Sequence, residues 1–248
     1  MNTKEEVLKN CKVEGVVVKL PNIQLERNVY QEVAKSLELI GGKWKGGKVF
    51  GFVFKEDPTE LLEQIANGEK RNLKKEFQFF ATPDAVAADL IEMAFIDAPL
   101  VGKVLEPSAG QGAIINAIHK LEFKELNVRY CETMEINRSI LSKIPYTECV
   151  GDDFLLLNAP EEYAIIIANP PFAKNQDIDH IYKMYEVCRK GGRIVSVSST
   201  HWQESGNKKE TEFRNWLEKI GAVIHKIDKG AFRESGTTIS ALIVVINK

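Results

Sequence analysis

"VLEPSAGQGA", residues 104–113, runs from apolar residues through an acid and a proline into a loop holding Gly110 and Gly112. The apolar, helix-like run "AIINAIHKLE" (113–122) follows at once. A strand that turns into a helix through glycine lets the backbone approach a ligand closely, and it is the building unit of parallel α/β sheets. The loop lacks the Lys-Ser/Thr pair of a phosphate-binding loop. Ile115 also stands where a dinucleotide fingerprint needs its third glycine. Glu106, at the strand end, is unfavourable beside a diphosphate but suits a ligand carrying an ammonium group.

Outward from this loop the same rhythm continues. Upstream, "TPDAVAADLIEMAF" (82–95) reads as a helix with Thr82 at the N-cap and Pro83 at the first helical position. Downstream come the strand "NVRYCETME" (127–135), the helix "NRSILSKI" (137–144) and the strands "TECVGDD" (147–153) and "YAIIIANPP" (163–171). "DIDHIYKMYEVCRKGG" (177–192) is a helix with a glycine stop, placing Cys188 in the helix. The strand "RIVSVSST" (193–200), the helix "KETEFRNWLEKIG" (209–221) and the strands "AVIHKI" (222–227) and "TISALIVVINK" (238–248) complete the pattern. This alternation predicts a mostly parallel, doubly wound α/β sheet over residues 76–248, whose ligands bind at the carboxyl ends of the strands. "DKGAFRESGT" (228–237) is too short for a parallel crossover, so the final strand is expected to be antiparallel.

Residues 1–75 read as a separate small mixed α/β module. "VEGVVVKL" (13–20) is a β-type run, and "LERNVYQEVAKSLELI" (25–40) spaces Val29, Val33, Leu37 and Ile40 along one helix face. "GGKWKGGKVFGFVF" (41–54) is a glycine-rich turn and a strand, and "DPTELLEQIANG" (57–68) is a short helix. The charged stretch "GEKRNLKKE" (68–76) serves as the connection. "GGKWKGGK" (41–48) is a basic tip with a Trp, which suits a phosphate backbone or a solvated hairpin tip. Residues 1–76 hold 14 Lys and Arg against 12 Asp and Glu, which is not a basic domain.

Composition sets the outer bounds. With 44% hydrophobic and 27% charged residues and a net charge of -2, the chain has the balance of a globular protein. Any nucleic-acid contact must come from local patches. No apolar run reaches membrane-spanning length, and "MNTKEEVLKN" lacks the apolar core of a signal peptide, so a cytoplasmic protein is expected. Cys11, Cys131, Cys149 and Cys188 are scattered without a CxxC pair or a His cluster. That predicts no disulfide framework and no metal site, with Cys131, Cys149 and Cys188 as core residues.

Three successive strand ends carry chemistry. Glu106 is followed by Glu135, read as ending the next strand, where a carboxylate accepts ribose hydroxyls. Asp153 and Phe154 then offer an acceptor for an adenine amino group and a ring against its face. "IIIANPPFAK" (165–174) leaves an apolar strand through an amide, two prolines and an aromatic ring. An exocyclic amino group is a poor nucleophile because its lone pair is delocalised into the ring. The Asn169 oxygen and the Pro170 carbonyl can each accept one of its N–H bonds and aim the lone pair at an electrophile. Pro171 stiffens the turn, and Phe172 offers a face for a planar base. A base inside a duplex would have to flip out to reach such a clamp.

"FQFFATPDAVAADLI", "VLEPSAGQG", "MEIN", "GDDFL" and "NPPF", in this order, resemble the S-adenosylmethionine-dependent amino-methyltransferases, above all the DNA adenine-N6 enzymes. The modification subunits of type I restriction systems share the aromatic-Thr-Pro stretch and the Phe of NPPF. The resemblance covers residues 77–246 and implies a Rossmann-like class I methyltransferase sheet with S-adenosylmethionine as cofactor. It implies that Phe80, Thr82 and Pro83 flank the methionine moiety and that Glu106 faces its ammonium. Pro107, Ser108, Ala109, Gly110, Gly112, Ile136 and Asn169 would line the cofactor, Glu135 would hold the ribose, and Asp153 and Phe154 the adenine. Asn169, Pro170, Pro171 and Phe172 would form the catalytic clamp. His201 and Trp202, in "STHWQESGNKKETEFR" (199–214), would either touch nucleic acid or anchor a mobile loop that holds Lys208 and Lys209. Phe232, Arg233 and Thr237, in "GAFRESGTT" (230–238), would flank the target base.

The expected partner is DNA, ahead of RNA or a protein substrate. No large target-recognition domain of the kind long family members carry is visible, so either a short or loose recognition site or a partner chain for sequence recognition is expected. Rival readings are an RNA base amino-methyltransferase, a protein glutamine-N5 methyltransferase, whose family more often has Tyr at the Phe172 position, and a non-catalytic nucleic-acid-binding module.

Overall fold

Every residue of the strand Tyr163–Ala168 is buried, which requires cover on both faces and a central place in a sheet. The structure, a computed structural model, describes residues 3–54, 57–72, 82–96, 102–121, 126–228, 230–232 and 240–248. The chain divides into two compact units, Met1–Phe79 and Phe80–Lys248.

The second unit is built on seven strands: β5 (Lys103–Glu106), β6 (Val128–Cys131), β7 (Thr147–Gly151), β8 (Tyr163–Ala168), β9 (Cys188–Ser199), β10 (Val223–Lys226) and β11 (Ala241–Asn247). Their order across the sheet is β10-β11-β9-β8-β5-β6-β7. All pairings from β7 to β9 are parallel, while β11 runs antiparallel to both β9 and β10. No helix stands between β10 and β11 among the described residues, which suits an antiparallel pair.

Alternation along β8 divides its side chains between two layers. Ile165 and Ile167 face the helices α4 (Asp84–Phe95) and α5 (Ala113–His119), which contribute Leu90, Ile91, Ile114 and Ile118. Ile166 and Ala168 face α7 (Gln176–Val187) and α9 (Lys208–Lys219), which contribute Ile178, Ile181, Phe213 and Leu217. At about 1.5–3 kcal/mol per fully buried Ile, this strand alone pulls helices onto both faces. The helix α6 (Glu135–Leu141) adds Leu141 to the first layer.

The first unit is a four-stranded antiparallel sheet of order β1-β2-β4-β3: β1 (Lys12–Glu14), β2 (Val17–Lys19), β3 (Lys43–Lys45) and β4 (Gly51–Val53). The helices α1 (Lys4–Lys9), α2 (Arg27–Leu39) and α3 (Thr59–Ala66) share one core with it, around Leu8, Val18, Val33, Leu37, Phe52 and Ile65.

Several local expectations are corrected. "VEGVVVKL" is two strands, because Gly15 at φ +60 turns the chain between them. The segment 41–54 is likewise a hairpin. Pro83, not Thr82, is the N-cap of α4. Cys188 opens β9 rather than sitting in a helix. Gly192 is needed there for close approach, since a Cβ would meet Cys188 Sγ at 2.6 Å and the Ala164 carbonyl at 2.9 Å. Cys149 lies on the edge strand β7 and is exposed, so it is not a core residue. The stretch after β9 is a short helix, α8 (His201–Glu204), leading into α9. Lys209 is tied there to Asp179 at 2.7 Å. Among the described residues no helix is long and apolar enough to cross a membrane.

Candidate active site

Because β5 to β9 run parallel, the loops that leave them open on one edge of the sheet. Glu106 ends β5 and is only 2% exposed. Its Oε2 is buried with no hydrogen-bond partner among the described residues. Burial pushes its carboxyl well above the ordinary range against the pull of a backbone hydrogen bond from Ile115, and neighbouring Glu132 adds to the rise. Gly110 (φ +54) and Gly112 (φ +80) then turn the chain into α5. A Cβ on Gly112 would approach Ile144 Cδ1 to 2.8 Å and Leu141 Cδ2 to 3.0 Å.

The acid that grips this loop is one the sequence reading passed over. Glu132 follows β6 directly and is 8% exposed. Its Oε2 accepts the Gly110 N–H at 2.7 Å and its Oε1 the Met134 N–H at 2.8 Å. Burial raises its carboxyl, opposed by the bonds from Met134, Asn137 and Gly110. Arg138 donates to the backbone carbonyls of Glu132 and Thr133. Glu135 does not end the strand; it is exposed and opens α6, with Ile136 half-buried behind it. An acid placed immediately after the alternating run Val128–Cys131 was the available signal for Glu132.

Asp153 is exposed and caps a short 3-10 turn, its Oδ1 accepting the Leu155 N–H at 2.9 Å. The Phe154 ring is buried, with its centroid 5.6 Å from that of His180. Burial lowers the His180 imidazole.

Asn169 and Pro170 follow β8. Asn169 Nδ2 donates to Thr82 Oγ1 at 3.1 Å, tying the end of β8 to the residue before the cap of α4. Pro107, Ser108 and Ala109 continue from β5, and the Ala109 N–H donates to the Cys131 carbonyl at 3.1 Å. Pro170 is buried, while Pro171 and Phe172 are half-buried, with Phe172 packed against the first core layer. Beyond Phe172 the chain reverses through Lys174 (φ 56) and Asn175 (φ 59). Asn175 Nδ2 then donates to buried Glu210 at 2.8 Å. Hydrogen bonds, first from Asn207, hold the Glu210 carboxyl below its ordinary range.

The remaining candidates divide. His201 is exposed, 3.7 Å from Glu210. Trp202 and Phe232 are each 4% exposed. The Trp202 indole donates to Ser198 Oγ at 2.8 Å, so it anchors this segment, and Phe232 belongs to the core layer beside α4. Their expected substrate-facing role does not match that burial. Phe80, Arg233 and Thr237 lie outside the described residues. A separate concavity lined by Met93, Arg193 and Asn247 lies at the opposite edge of the sheet and holds none of these groups.

No family model matches the chain. Among solved structures, it is similar to a type I restriction-modification methyltransferase subunit from Streptococcus thermophilus (TM-score 0.58, 17% identity, covering 77% of this chain and 48% of that one). A candidate class I S-adenosylmethionine-dependent methyltransferase from Listeria monocytogenes gives a TM-score of 0.55 at 15% identity, covering 77% and 66%. A candidate RNA methyltransferase from Pyrococcus horikoshii gives 0.52 at 20% identity, covering 73% and 92%. The chain thus spans about half the length of the Streptococcus protein and two thirds of the Listeria one. The strand order and the single antiparallel strand are those of a Rossmann-like class I methyltransferase fold.

Proposed function

We propose that the protein is an S-adenosylmethionine-dependent N-methyltransferase acting on the exocyclic amino group of adenine in DNA. One observation carries this reading: a buried acid with an unpartnered oxygen, Glu106, and an oriented amide, Asn169, leave neighbouring parallel strands at the same sheet edge. Adjacent strands lie about 4.8 Å apart, so a ligand held by the first presents its far side to the second. An orphaned buried carboxyl oxygen fits the ammonium of a methionine moiety, and the left-handed turns at Gly110 and Gly112 carry the chain from Glu106 into α5.

The cofactor, when bound, supplies an electrophilic methyl group. Asn169 and the Pro170 carbonyl accept the two amino N–H bonds and direct the nitrogen lone pair. Pro171 holds the carbonyl in place, and Phe172 stacks on the base. Glu132 keeps the glycine loop open by holding Gly110. Positioning and electrostatic stabilisation do the work here, with no strong base required. The likeness to restriction-modification subunits in motif order and fold favours DNA, with a partner chain supplying sequence recognition.

The test incubates the protein with methyl-labelled S-adenosylmethionine and DNA, RNA or protein in separate reactions, followed by digestion and identification of the modified unit. Label is expected in N6-methyladenine from DNA. Label confined to RNA or to a glutamine amide, or none anywhere, rejects the reading. Asn169→Ala is expected to keep cofactor affinity and lose about 100-fold or more in turnover. An Asn169→Ala enzyme as fast as its parent rejects the acceptor role.

A further inference from the structure

The turn that carries the chain out of the Asn-Pro-Pro-Phe clamp is strained, and a distant element holds it. Lys174 (φ 56, ψ 28) and Asn175 (φ 59, ψ 34) are consecutive left-handed residues, a conformation that glycine adopts freely and a side chain disfavours. Asn175 also precedes α7, where an asparagine ordinarily turns its side chain onto the helix's own first N–H groups. It makes no such cap. Its Nδ2 donates instead to Glu210 Oε1 at 2.8 Å, 35 residues along the chain in the first turn of α9.

The hold on Asn175 is two-sided. Lys209 donates from Nζ to the Asn175 carbonyl at 3.3 Å and to Asp179 Oδ2 at 2.7 Å. Glu210 is 1% exposed, and the Asn207 amide donates to the same Oε1 at 3.2 Å. From Asn175 the connection runs back to the clamp, since its N–H donates to the Phe172 carbonyl at 3.2 Å. A tie made for stability alone would leave Asn175 to cap α7 and would set glycine in the left-handed turn. Backbone strain held in place by surrounding bonds gathers where a site needs fixed geometry.

We infer that Glu210 is a positioning residue for methyl transfer: through Asn175 it fixes the turn after Phe172, and so where the Phe172 ring meets the target base. This rests on the function proposed above, which takes the clamp as the seat of the substrate amino group. In this role Glu210 touches neither substrate nor cofactor. A displacement of about 1 Å near a reacting group costs on the order of 100-fold in rate, so the tether governs turnover more than binding.

The experiment compares Asn175→Gly, Glu210→Ala and Glu210→Gln with the parent in the full chain. It measures methyl transfer from labelled S-adenosylmethionine to DNA, with rates normalised to the cofactor sites counted by calorimetry. Amide hydrogen exchange is followed over residues 169–176. Asn175→Gly removes the tether while glycine suits the left-handed backbone, so its thermal midpoint should hold. Its kcat should nevertheless fall about 30-fold or more. Its KM for DNA and its Kd for S-adenosylmethionine should stay within about threefold of the parent's. Glu210→Ala should lose kcat alike, and both variants should exchange faster over residues 169–176. Glu210→Gln keeps an acceptor oxygen for the Asn175 amide and should return to within about threefold of the parent. An Asn175→Gly chain that turns over at the parent's rate overturns the inference. So does a loss of kcat that appears only with an earlier thermal midpoint or fewer cofactor sites, since that marks a purely structural tie. Glu210→Gln as slow as Glu210→Ala also overturns it, because the charge and not the tether would then matter. Faster exchange with unchanged kcat would sink the positioning role and leave the proposed function standing. A parent that transfers no methyl group would reject the proposed function itself, and the positioning role with it.

Discussion

Glu106, by its burial, sets a pH dependence on the stability of the fold. Its folded-state carboxyl is raised above the ordinary 4.5, first by burial, so between that value and its raised one the folded chain binds the extra proton. Stability from this group is complete below the unfolded value and declines as pH rises through the folded one. Glu132 is raised by burial too and contributes a slope of the same sign. Thermal midpoints of ligand-free Glu106→Gln should therefore fall less than the parent's as pH rises from about 4.5. Calorimetry should show S-adenosylmethionine affinity reduced at least about tenfold, the loss of one charge-assisted contact. Equal slopes and equal affinities would remove Glu106 from the cofactor role. At this scale the readable residues were those whose type is unusual for their place: Glu106, Gly110, Gly112, Asn169 and the two prolines. Glu132 showed only its place after a strand-like run; its importance lies in two backbone N–H groups, one of them 22 residues away.

Helix α7 begins where the clamp ends, and Asp177 in its first turn ties it to β9. The side chain is fully buried, and its Oδ2 accepts both the Ser198 hydroxyl and the Ser199 N–H at 2.8 Å. Ser198 in turn receives the Trp202 indole, so one carboxyl joins α7, β9 and α8. Asp177→Ala strands a hydroxyl and a backbone N–H in the interior, which should cost about 2–4 kcal/mol. That corresponds to a fall of roughly 5–15 °C in the second unit's thermal midpoint. A midpoint unchanged within a degree or two would show that these donors find other partners. Element type was legible wherever a long period ran uninterrupted, as in α2 and α9 or the run into β8. Boundaries were lost where tertiary contacts set them. Thr82 precedes the cap and bonds Asn169, and Gly192 serves a strand that passes close to β8 rather than a helix stop.

On the scale of the whole molecule there are separate cores, one around Leu37 and Phe52 in the first unit and two layers around β8 in the second. Chains with independent cores depart from a single cooperative transition. Leu37→Ala should therefore remove about 2–5 kcal/mol from the first unit only. In denaturant unfolding, intrinsic fluorescence should report two transitions, with only the one involving Trp44 displaced. One shared shift would mean the units unfold together. By itself, the sequence determined the alternation of strands and helices, since periods of two and 3.6 are local properties. It also determined which chemical groups stand at the strand ends. Only the tertiary structure decided that Phe154, Trp202 and Phe232 turn inward, that Glu132 closes on Gly110, and that lysines from three strands share one face of the first unit's sheet. Burial and register depend on which segments meet, and strand pairing, not sequence distance, sets that.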